Sequence, residues 1–167
     1  MKMRFAFLLF GAAFFVQTLL NSWLPGRFLV DLDLTILIAL GICYDEEELH
    51  KPLIAAFVFA VISDICFNQH VGVTGVALVL TVLFLLAMRH LVNTENLIFD
   101  AGIAAAAVLL YNTIYWFIYY LMGAPYSFLY MLKRLPLEWV FDTAIAFAIM
   151  FVMVNRVINA RRDRYFR

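Results

Sequence analysis

Charge is scarce in this chain. Only 14% of its 167 residues are Asp, Glu, Lys or Arg and 66% are apolar, against roughly 25% and 45–50% in soluble domains. So little polar surface cannot cover a water-soluble fold of this size. Formal net charge is zero, which removes any global attraction to nucleic acid. Cysteine is nearly absent. Cys43 and Cys66 fall at opposite ends of neighbouring apolar runs, which argues against a disulfide and for two small buried apolar residues. His50, His70 and His90 stand at the edges of runs and read as solvated. No Cys/His spacing suits a metal, and no GxSxG, P-loop, HExxH or GxGxxG motif occurs. The sequence therefore points away from an enzyme, and no cofactor is expected. With no internal repeat and no low-complexity linker, residues 1–167 read as a single transmembrane domain of an all-α, polytopic membrane protein.

What is present is a series of apolar runs. About 20 apolar residues cross a bilayer, with a lower limit near 17. The first run, Phe5 to Leu24, carries no charge. Lys2 and Arg4 before it also suit a signal peptide. The run is longer than a typical signal core, however, and Asn21-Ser22-Trp23 is a poor cleavage site, so it reads as a retained span. Further runs cover about Phe28–Tyr44, Pro52–Phe67, Val71–Met88, Ala101–Met122 and Leu137–Val157. About six transmembrane helices result. The third and fourth runs are short and tightly joined. Two full spans are the simpler reading, and a hairpin that enters and leaves by one face is the other. Gly102 and Ala106 give a small-residue face in the fifth run, read as internal packing.

Basic residues set orientation. With six spans and an inside N-terminus, nine of the 12 Lys and Arg lie inside, including Arg156, Arg161, Arg162, Arg164 and Arg167. Only Arg27, Lys133 and Arg134 lie outside. This asymmetry places both termini in the cytoplasm. The arginine-rich tail suits anionic lipid. Trp23, Tyr126, Tyr130 and Trp139 fall near the outer interface, where amphipathic rings are favoured. The segment Gly123–Pro136 reads as a mixed outer loop.

One acid resists a local explanation. Asp64 sits inside the apolar stretch Ala55–Phe67, near the C-terminal end of its helix, where the dipole disfavours a negative charge. A charge at membrane depth needs a partner or a cavity. Asn68, four residues on, shares its helical face, and Gly72 and Gly75 mark a short turn into the next run. Asp33 and Asp142 lie at similar depth in other runs, and Asn112 lies mid-way along the fifth. Together these side chains could line a polar pocket open to the outside. The competing explanation for Asp31, Asp33, Glu138 and Asp142 is placement in the first turns of their helices, with Pro136 also in a first turn. For Asp33 and Glu138 that explanation is the simpler one. Asp142, a turn deeper, fits either. The candidate polar site is thus Asp33, Asp64, Asn68, Gly72, Asn112 and Asp142.

The layout resembles the rod shape-determining protein MreD family of bacteria over nearly the whole chain. The resemblance rests on Asp33-Leu34-Thr35-Ile36-Leu37-Ile38 and on Asp64-Ile65-Cys66 followed by Gly72-Val73-Thr74-Gly75-Val76. Family members often place a proline before the first acid, where Leu32 stands here, and a glycine before the second, where Ala60 and Ser63 stand. The resemblance implies a non-enzymatic role in the cell-elongation machinery, with MreC, the actin-like MreB, RodA and a transpeptidase as partners. It implies a fold like the substrate-binding subunit of energy-coupling-factor vitamin transporters. Such a transporter subunit is therefore the rival function.

Overall fold

The computed structural model describes residues 3–23, 30–43, 46–68, 70–91, 97–123 and 128–165. Every regular element among them is an α-helix: α1 (Met3–Trp23), α2 (Leu32–Cys43), α3 (Glu46–Phe67), α4 (Val73–Leu91), α5 (Leu97–Leu121) and α6 (Phe128–Tyr165). Among the described residues, four segments are long and apolar enough to cross a membrane: Met3–Trp23, Leu49–Phe67, Phe99–Leu121 and Leu135–Met153. The apolar helices Leu32–Cys43 and Val73–Met88 are shorter.

α2 is the centre of the bundle. Apart from Thr35 its sequence is apolar all round below Asp33, and such a helix is stable only when covered on every side. Leu34, Leu37, Ile38 and Leu40 are at most 1% exposed, and α2 packs against each of the other five helices. Twelve residues rise only about 18 Å, at about 1.5 Å each. The second expected run thus forms a helix shorter than the four long ones, covered on every side by its neighbours.

Around α2 the packing order is α1, α3, α4, α5, α6. Phe7 and Phe14 of α1 set their rings about 6 Å from Phe59 of α3. A Cβ at Gly75 of α4 would meet the Phe57 ring of α3 at 2.8 Å, so any larger residue there would force that ring to shift. Trp139 of α6 donates its indole N–H to the Ala105 carbonyl of α5 at 2.9 Å. This ring therefore joins two helices. Trp23 is 87% exposed; Tyr126 and the Tyr130 side chain lie outside the described residues. Among the described residues, α1 and α6 do not pack against each other.

Two expected boundaries move. α3 begins at Glu46 and carries Pro52 internally. Glu46, Glu47 and Glu48 therefore stand at the helix N-terminus, where the dipole favours acids. α6 begins at Phe128 and carries Pro136 internally, so the expected outer loop is largely helical. Pro136, Glu138 and Asp142 are consequently not first-turn residues, and the dipole explains neither acid. The Gly102–Ala106 face also departs from expectation: both residues are exposed, and a Cβ at Gly102 would meet nothing within 4 Å. α5 packs instead through Ile103, Ala104, Ala107 and Val108.

Candidate functional site: two capped helix starts in a polar end

Polarity is inverted in this bundle. Phe5, Leu8, Phe15, Leu19, Phe117 and Phe151 face outward, while Asp33, Thr35, Asp64, Thr81 and Asp142 are buried. Asp33, Asp64 and Asp142 lie near the starts of α2 and α4, whereas Thr81 lies midway along α4.

A helix start leaves four backbone N–H groups without partners. In water these are solvated; inside an apolar bundle they need acceptors. Asp64 supplies them for α4. Its Oδ2 accepts the N–H groups of Gly72 at 2.8 Å and Thr74 at 3.0 Å. Its Oδ1 accepts from Asn68 Nδ2 at 2.7 Å and from the Thr74 hydroxyl. The carboxylate is fully buried. Gly72 makes the arrangement possible. Its φ of +93° turns the chain back within a few residues, and side chains rarely tolerate that conformation. The expected Asp64–Asn68 pair and glycine turn are therefore present. The wrong-end acid of α3 is the right-end acid of α4.

The start of α2 is covered from two other helices. Gln17 Oε1 of α1 accepts the N–H groups of Leu32 at 2.9 Å and Asp33 at 3.4 Å. Gln17 Nε2 donates to Asp31 Oδ1 at 3.3 Å. Asp142 Oδ1 of α6 accepts the Asp31 N–H at 3.3 Å. One turn along α1, Asn21 exchanges bonds with the Val30 backbone, its Oδ1 accepting at 3.0 Å and its Nδ2 donating at 3.5 Å. Gln17 and Asp142 lie about two turns in from Trp23 and Leu135 respectively, roughly 10 Å below those ends.

Tyr111, 2% exposed, lies within electrostatic range of Asp31, Asp64 and Asp142 and so near both caps. From it a column of rings runs to the α3–α4 turn: Tyr111–Tyr115 at 6.1 Å, Tyr115–Tyr119 at 4.8 Å and Tyr119–His70 at 5.6 Å. His70 is thus half-buried against a ring, not simply solvated.

The six candidate residues divide. Asp64, Asn68 and Gly72 form one cap. Asp142 joins Asp31 at the other. Asp33 is 6% exposed and its Oδ1 has no hydrogen-bond partner. Asn112 donates to the Val108 carbonyl of its own helix at 3.1 Å, a local bond unrelated to either cap. Sequence reasoning passed over Gln17, Asn21, Thr74 and Tyr111. The first two were legible as a polar pair four residues apart in an otherwise apolar run. Thr74 stood as a second hydroxyl-bearing group just past the glycine turn. Chemically the arrangement presents acceptors to backbone donors, which is the work of holding helix starts in place. Compared with known proteins, the chain matches no family model, no curated protein and no solved structure.

Proposed function

We propose that the chain is a non-enzymatic scaffold of the bacterial cell-elongation machinery in the cytoplasmic membrane. On this reading it crosses the bilayer six times with both termini cytoplasmic. It binds an MreC-like partner and supports peptidoglycan synthesis alongside MreB, RodA and a transpeptidase, while its arginine-rich tail rests on anionic lipid. The residues quoted for the MreD resemblance support it. The observation that carries it is the bonding of Asp64: both carboxylate oxygens accept from the α4 start, so this acid has a structural task instead of a catalytic one. An apolar exterior over a polar interior is what lipid surroundings favour.

The rival reading, a substrate-binding subunit of an energy-coupling-factor vitamin transporter, is favoured by the buried Asp33 Oδ1 that has no partner. Depletion in a rod-shaped host separates the two. The scaffold reading expects cells to round. Unchanged shape with lost uptake of one vitamin favours the transporter subunit.

Orientation has its own test. Single cysteines placed at Arg162 and Ser127 should differ toward an impermeant thiol reagent in intact cells, with Ser127→Cys labelled and Arg162→Cys protected. The reverse pattern would overturn the cytoplasmic termini.

A further inference from the structure

Equal cylinders pack around a central one with roughly six neighbours, and helices pack at near-constant axial distances. α2 has five, arranged in the order α1, α3, α4, α5, α6, and the ring is open between its first and last members. Helical periodicity identifies what faces the opening. On α1, Gly11 and Phe14 turn to Phe59 of α3, and Ala6, Phe10 and Ala13 are buried in the bundle. Val16 and Leu20 lie on the flank opposite Gly11. They are 47% and 41% exposed, against 73% for Leu8 and 69% for Phe15 on the outward face, as expected for the wall of a groove. On α6, Trp139 turns to α5, Asp142, Ala146 and Met150 are buried, and half-buried Ile145 and Ile149 lie on the far side of Asp142 from Trp139. Half-buried Leu32 and Ile36 of α2 share the remaining face and form the floor.

The groove is closed at its polar end by the Gln17–Asp31–Asp142 bridge between α1 and α6. Glu138, one turn above Asp142 and within its electrostatic range, adds a third carboxylate to this mouth. An apolar seam ending in acids complements one kind of occupant.

We infer that this seam seats one membrane-spanning helix of a partner protein, apolar along its length and carrying a Lys or Arg at the end that meets half-buried Asp31 and Glu138, with Asp142 buried behind them. The inference rests on the membrane-scaffold reading and names the contact face that reading needs.

The test is photocrosslinking in living cells of the native host. The photoreactive residue p-benzoyl-phenylalanine replaces Ile145 in the seam or, as a control, Phe151 on the outward face of α6. Adducts are mapped by mass spectrometry. The expected result is a single protein adduct at Ile145, several-fold stronger than at Phe151, within a membrane-spanning segment flanked by Lys or Arg. The added substitution Glu138→Gln should lower its yield several-fold. Adducts at Ile145 with lipid alone, with a second copy of this chain, or with no preference over Phe151 would overturn the inference, as would a partner segment without a basic flank. A partner unrelated to MreC with the expected segment would uphold the seam and overturn the elongation role, so the two claims fail separately.

Discussion

Asp64→Leu should leave little folded protein in the membrane, whereas Asp64→Asn should remain abundant. Leucine fills the space but accepts nothing. It strands the N–H groups of Gly72 and Thr74 and the amide of Asn68, all now bonded to this carboxylate. Each buried donor left without a partner costs about 1–3 kcal/mol, against total stabilities of roughly 5–15 kcal/mol. A chain of this length loses about 2–4 °C of Tm per kcal/mol, so Asp64→Leu should lower the detergent-solubilised Tm by about 10 °C or more. Asparagine keeps one acceptor and is itself a good cap, so its cost should be near 1 kcal/mol. Membrane abundance and Tm of both variants check this. Equal values for the two would mean that the carboxylate meets water and that α4 is capped some other way.

The second large effect is expected at Gln17. Gln17→Leu removes the acceptor shared by the Leu32 and Asp33 N–H groups and the donor to Asp31. The loss should reach about 2–4 kcal/mol at the start of the central helix. Thr18→Val is the control. The Thr18 hydroxyl bonds only the Phe14 carbonyl of its own helix, and its loss should change Tm by no more than about 2 °C. A Gln17→Leu protein as stable as Thr18→Val would show that α2 holds its place through apolar packing alone.

The comparison between these residues shows what the sequence reveals and what it hides. Asp64 was legible because a charge inside an apolar run demands a reason, and Asn68 and Gly72 were legible because they lie within one helical face and one short turn of it. The partner helix start was not deduced, although it lies only ten residues away. Hydrophobic patterning describes which side of a helix is covered but not which backbone donors a turn delivers. Gln17 carries no charge, so a search for costly groups passes over it. Its role comes from the 15-residue separation to Leu32, which only the path of residues between the helices can close. The boundaries of α6 failed for another reason. Pro136 reads as a helix start, yet a proline inside a helix costs about 3 kcal/mol, which the packed faces of a 38-residue helix can offset. The burial of α2, by contrast, follows from a run with apolar residues on every side.

The central claim is that side chains from neighbouring helices hold the starts of α2 and α4 inside the bundle. Hydrogen exchange at individual amides of the wild-type protein in lipid nanodiscs addresses it most directly. The N–H groups of Leu32, Gly72 and Thr74 should exchange as slowly as that of buried Leu37, and Asp64→Asn should accelerate Gly72 and Thr74 while leaving Leu32 unchanged. Rapid exchange of all three amides in the wild type would contradict the account, because it would show both helix starts open to water.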